Sequence, residues 1–203
     1  MKLAKTAGKI SAIAAAAAVT MWTGGTAHAE TYTWGEIRPV ANGIIVQPFY
    51  QPECLALNAG DGFYNDHTRV FQWACNGHDD QQWETRYAGS TGDRIALYQV
   101  VNKQSGKCME VRDNNVSNGT QIDQITCSTA NPFYIPQQVW EITFADSNSG
   151  YHKMIPLSAL VYGFDMCLDV RGGLPYNGTM VEQWTCNDGT NQQFAGAPLY
   201  LLI

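Results

Sequence analysis

Six cysteines constrain this chain more than any other feature. They stand at Cys54, Cys75, Cys108, Cys127, Cys167 and Cys186, spaced 21, 33, 19, 40 and 19 residues apart. Six cysteines can pair in fifteen ways, and their order alone selects none of them. The alternation of short and long gaps suggests three copies of one unit, each with its own pair. The neighbouring residues repeat in step. Copy one holds Cys54-Leu55-Ala56-Leu57, then Val70-Phe71-Gln72-Trp73-Ala74-Cys75, then Gln81-Gln82-Trp83. Copy two holds Cys108-Met109-Glu110-Val111, Ile122-Asp123-Gln124-Ile125-Thr126-Cys127 and Gln138-Val139-Trp140. Copy three holds Cys167-Leu168-Asp169-Val170, Val181-Glu182-Gln183-Trp184-Thr185-Cys186 and Gln192-Gln193-Phe194. Pairing within copies joins Cys54 to Cys75, Cys108 to Cys127 and Cys167 to Cys186. A closed loop of that size stabilises by about 3 kcal/mol in the chain-entropy view.

The segments between turns read as strands. Those opening each copy alternate apolar and other residues, and those before each second cysteine are rich in Val, Ile, Phe and Trp. Turn clusters separate them, as at Asn58-Ala59-Gly60-Asp61-Gly62, Ser117-Asn118-Gly119 and Tyr176-Asn177-Gly178. No window after the N-terminus sustains a helical period. A single all-β domain follows, closed so as to remove strand edges.

Residues 1–29 read as an export signal. Lys2, Lys5 and Lys9 precede an Ala-rich run from Ile10 to Met21, and Ala27-His28-Ala29 fits a signal-peptidase site. The run is short for a membrane span. The mature chain is expected to begin at Glu30, to be secreted and to form its disulfides outside the cytoplasm. Of the 12 Lys and Arg, three are in the leader, so 9 face 18 Asp and Glu in the mature part. That acidic balance argues against nucleic acid or an anionic membrane as partner, since both demand basic clusters.

Three copies of a Gln-x-aromatic motif, each with a cysteine staple, resemble the ricin B-chain type lectin domain. The same pattern marks xylan- and galactose-binding modules of secreted bacterial enzymes. The resemblance covers about Gly43 to Phe194. It implies an all-β β-trefoil of three pseudo-repeats, each with one internal disulfide, at about 43–96, 97–154 and 155–203, after an N-terminal extension at 30–42. It also implies core roles for Trp83, Trp140 and Phe194. Phe194 departs from the family's tryptophan.

A pyranose presents one apolar face and a rim of hydroxyls. It is held by an aromatic plate together with a carboxylate or amide that can bond two hydroxyls. By the resemblance, copy three supplies this set: Asp169 as the acid, Trp184 as the plate, Asn191 and Gln192 as amides, and Glu182 where the family commonly has Gln. Glu182 is expected to add charge beside Asp169. In copy one Ala56 replaces the acid, although Trp73 and Asp80-Gln81 remain. In copy two Glu110 and Asp123 hold the acid and Gln positions, but Ile125 replaces the plate. The expected partner is therefore a glycan or polysaccharide of galactose or xylose type, bound by the third copy at about −4 to −6 kcal/mol.

No catalytic residue, cofactor or metal is expected. His67, His78 and His152 lie outside any nucleophile elbow, zinc-protease or phosphate-loop motif. Asp169 and Glu182 could mimic a glycosidase pair, but the resemblance places them on an open surface without an enclosing cleft. No separate catalytic domain is expected. The alternative is a separate protein partner, with the trefoil serving as accessory or cell-binding subunit of a toxin or as a secreted protease inhibitor. Its surface would be the apolar insertion Asn131-Pro132-Phe133-Tyr134-Ile135-Pro136, which is otherwise expected to fold back on its own lobe. Asn115, Asn118 and Asn177 match glycosylation sequons but read as tight-turn residues.

Overall fold

The computed structural model describes residues 34–40, 53–145 and 150–199. The leader, most of the extension and the start of the domain at 43 lie outside the described residues. Among these residues the chain forms twelve strands, four to each copy. Lobe one contains β1 (Arg38–Pro39), β2 (Glu53–Leu57), β3 (Val70–Ala74) and β4 (Trp83–Ser90). Lobe two contains β5 (Ala96–Asn102), β6 (Cys108–Val111), β7 (Thr120–Ile125) and β8 (Trp140–Phe144). Lobe three contains β9 (His152–Pro156), β10 (Met166–Val170), β11 (Thr179–Thr185) and β12 (Phe194–Ala195).

The first and last strand of each lobe build a barrel. Its antiparallel neighbours run β1, β12, β9, β8, β5, β4. A bridge between Gly35 and Trp83 closes the ring. The middle strands form three hairpins, β2–β3, β6–β7 and β10–β11. This is the expected β-trefoil.

The core follows the repeat. Leu55, Met109 and Leu168, one residue after each first cysteine, are fully buried, as are Val70, Ile122 and Val181 on the return strands. Trp83, Trp140 and Phe194 are its largest side chains, all at 0% exposure. The indole N–H of Trp83 donates to the Leu55 carbonyl at 2.9 Å, and that of Trp140 to the Met109 carbonyl at 3.3 Å. Phe194 keeps the ring without that donor. The three disulfides join the pairs predicted, with Cα atoms 5.1, 5.0 and 5.0 Å apart.

The lobes are tied to one another in a cycle. Gln72, Gln124 and Gln183 each stand three residues before a second cysteine and are buried. The Gln124 amide donates to Phe63 and Asn65 carbonyls of lobe one, and Gln183 to Asn115 and Ser117 of lobe two. Gln72 donates to Leu174 and Tyr176 of lobe three. A second ring runs beside it. Side-chain oxygens of Asp66, Asn118 and Asn177 accept the backbone N–H of Thr126, Thr185 and Ala74, at 2.8, 2.7 and 2.6 Å. The sequon residues Asn118 and Asn177 are therefore occupied as turn acceptors.

One element departs from the sequence reading. Leu157–Tyr162 forms a short α-helix, α1, that buries Leu157 against Leu97 and Val139. Six residues are too few to show a helical period. The insertion divides: Ile135 packs against that same small cluster, while Phe133 and Tyr134 are exposed.

Candidate carbohydrate site

The third-lobe set is assembled by one hairpin and one turn. In the β10–β11 register Asp169 faces Glu182 and Cys167 faces Trp184. Side chains two apart on a strand share a face, so Asp169, Glu182 and Trp184 point the same way. The turn Thr190–Gln192 then brings Asn191 alongside. Asp169, Glu182, Trp184, Asn187 and Asn191 line one open pocket together with Arg171 and Gly172. Trp184 is 42% exposed, while Asp169 is 3% exposed, so a plate stands over a recessed acid.

Asp169 is held firmly. The Asn191 and Gln192 amides both donate to its Oδ2, each at 2.8 Å. No donor among the described residues reaches Oδ1. Burial pushes the Asp169 carboxyl above its ordinary value, the two amides pull it back, and the Glu182 charge adds to the rise.

Two residues have other duties than expected. Gln192 is fully buried and does not line the pocket. Its oxygen accepts the Asn187 N–H at 2.7 Å, and its amide donates to the Thr185 carbonyl at 3.0 Å as well as to Asp169. Gln81 and Gln138 make the same two links across their own turns, to Asn76 and Ala74 and to Ser128 and Thr126. The glutamine of each Gln-x-aromatic thus staples the turn after its disulfide, and only Gln192 also grips an acid. Glu182 is not a loose charge either. It is buried and paired with the Arg171 guanidinium, whose Nε lies 2.7 Å from Oε2. The sequence reading missed Arg171 and Asn187. It also missed Gly119, contributed by the lobe-two turn: a side chain there would start 3.8 Å from Trp184 and 3.9 Å from Glu182.

The other lobes vary this frame. Lobe one keeps an exposed plate, Trp73, also 42% exposed, with Phe71 edge-on to it at 5.7 Å, but Ala56 offers no acceptor. Lobe two keeps the acids and the arginine. Arg112 pairs with Asp123 as Arg171 does with Glu182, and Glu110 faces Asp123 across β6–β7. Burial, followed by the Asp123 charge, pushes the Glu110 carboxyl up to about 8. Ile125 stands where lobe three has its plate. His67 reaches in from lobe one, its Nδ1 3.3 Å from Glu110 Oε1. Nothing in the sequence alone gives that histidine a role.

A family model described as "Ricin-type beta-trefoil lectin domain-like" matches residues 51–125 and 81–158, together more than half of the chain. No curated protein matches the sequence. Among solved structures, the designed three-fold symmetric protein ThreeFoil is similar with a TM-score of 0.62 at 22% identity, over 80% of this chain and 96% of that one. An exo-β-1,3-galactanase from Clostridium thermocellum has a TM-score of 0.61 at 24% identity, over 82% of this chain but only 30% of the enzyme. The Macrolepiota procera ricin B-like lectin, solved with lactose, has a TM-score of 0.56 at 17% identity, over 81% and 94% of the two chains.

Proposed function

This chain belongs to the ricin-type β-trefoil lectin domain-like family, and from that premise we propose that it is a secreted carbohydrate-binding protein that works through its third lobe. The observation that carries the reading is the convergence of a recessed, amide-held Asp169 with the half-open Trp184 ring in one pocket. The plate covers the apolar face of a sugar. Asp169 Oδ1, Asn191 and Asn187 meet its hydroxyl rim. The binding reading is further supported by a similar fold in a lectin solved with lactose. Galactose- or xylose-type glycans are the proposed ligands. Export directed by residues 1–29, with their removal from the mature chain, is part of the proposal and agrees with the three disulfides. Among the described residues no helix is long and apolar enough to cross a membrane.

Catalysis is not part of the proposal. Glu182 is committed to Arg171, and the pocket is an open depression without the enclosure that sets an acid and a base apart. A protein-binding role is the second reading, favoured by exposed Phe133 and Tyr134 on the insertion and by Leu160, Val161 and Tyr162 on α1. A glycan array on the oxidised protein, with Trp184→Ala beside it, separates the two. Binding to galactose- or xylose-bearing glycans that disappears in Trp184→Ala is expected. A silent array together with a stoichiometric protein partner would replace the lectin reading with the second one.

A further inference from the structure

The acid pair of lobe two is no longer shaped for a sugar. Counting back eight residues from each second cysteine gives His67, Gly119 and Gly178. The backbone N–H of each donates to the second-strand glutamine carbonyl of the next lobe, that of Gln124, Gln183 and Gln72 respectively. All three have positive φ, at 65°, 82° and 82°. Glycine takes that conformation freely, whereas a residue with a Cβ does so at a cost. At Gly119 and Gly178 the missing side chain would point at the neighbouring lobe's plate, 3.8 Å from Trp184 and 3.9 Å from Trp73. In lobe two the plate is Ile125, and the seat carries an imidazole aimed at the acids. A strained residue kept at a pocket invites a functional account.

We propose that His67, Glu110 and Asp123 form a binding site for one divalent metal ion of the zinc type. The candidate donor atoms of the three residues lie within 4.8 Å of one another. His67 Nδ1 is 3.3 Å from Glu110 Oε1 and 3.7 Å from Asp123 Oδ2. These gaps are wide for charge-assisted hydrogen bonds, which run about 2.7–2.9 Å. The 3.3 Å gap suits two donors on a tetrahedral ion with bonds near 2.0–2.1 Å, whose edges are roughly 3.3–3.4 Å; the 3.7 Å gap, to an oxygen that Arg112 also reaches, would have to close by a few tenths of an ångström.

A second observation concerns charge balance. Glu110 and Asp123 are 2% and 0% exposed, and Glu110 Oε1 and Asp123 Oδ1 are buried without a hydrogen-bond partner. Arg112 is 2.5 Å from Asp123 Oδ2 and balances one carboxylate, leaving the second negative charge to a proton or a cation. One imidazole nitrogen and two carboxylate oxygens favour zinc over calcium or magnesium, which prefer oxygen alone. His67 is half exposed, so an ion has a path in and a solvent-facing fourth position.

The test is titration of ZnCl2 into the chelator-stripped, oxidised protein by calorimetry, with metal content measured after dialysis. One zinc per chain is expected, together with a rise in melting temperature. His67→Gly is the decisive variant, because glycine fills the same seat in both other lobes and should fold without strain. It should weaken zinc binding more than about 100-fold, since even outer-shell losses cost 10–100-fold, and it should abolish the thermal shift. Glu110→Gln should do likewise. His78 and His152 remain in both variants and report adventitious binding. No stoichiometric uptake by the unaltered protein, or equal affinity in His67→Gly, would overturn the site.

Discussion

Lobes two and three start from the same frame and are furnished differently. Each sets two acids opposite one another on a hairpin, Glu110 with Asp123 and Asp169 with Glu182, and each gives the second acid an arginine. Beyond the amides that grip Asp169 alone, two positions set the lobes apart. Lobe three has an indole at 184 and receives a glycine from its neighbour. Lobe two has an isoleucine at 125 and receives a histidine. The first arrangement leaves space beneath a flat ring. The second fills that space with an imidazole. On the proposed reading, what an acid pair holds is set jointly by the plate position of its own lobe and by the residue that the adjacent lobe places beside it.

The comparison can be broken most directly at the acids. Asp169→Asn should reduce glycan affinity about 100-fold, within the range for losing a charge-assisted acceptor, whereas Glu110→Gln should leave it unchanged. Calorimetry with the best array ligand reads both, and thermal unfolding checks that neither variant loses the fold. Equal losses in the two variants would mean that lobe two binds sugar as well.

The reverse exchange sharpens the comparison. Ile125→Trp combined with His67→Gly gives lobe two the plate and the space of lobe three. A second, weaker site should appear, within about tenfold of the first, and binding to a polysaccharide should gain through bivalency. A stoichiometry that stays at one would show that the two positions do not suffice.

The smallest effect is a dependence on pH. In the proposed complex ligand hydroxyls donate to Asp169 as the carboxylate, and burial raises its folded pKa above the ordinary 3.8. Affinity should therefore be constant near neutrality and fall as the pH drops through that raised value, sooner than for an exposed aspartate. The acid loss of affinity, read by titration, is expected to begin at a higher pH than the ordinary carboxylate value allows. A profile with no acid loss at all would place the contact elsewhere.

What the sequence revealed followed from repetition. The cysteine pairing and the three core aromatics recur at fixed offsets, so the chain announces them three times. Gln72, Gln124 and Gln183 recur just as regularly, yet a polar residue in a strand does not say which loop it will reach. Their partners lie 102, 61 and 68 residues away. The burial of Gln192 is hidden in the sequence for a related reason. Its motif marks a turn staple in all three lobes, and its extra bond to Asp169 depends on the two being brought together in space. His67 was hidden by the first copy's longer cysteine spacing, 21 residues against 19. Only counting from the second cysteine aligns it with Gly119 and Gly178.

The ring of buried glutamines also bears on how the molecule comes apart. Each lobe caps a loop of one neighbour and is itself capped by the other, so removing any member strands polar groups on both sides of it. Three look-alike units wired head to tail in this way should melt as one body. Calorimetry should record a single sharp endotherm, and an excised third should have no stable existence of its own.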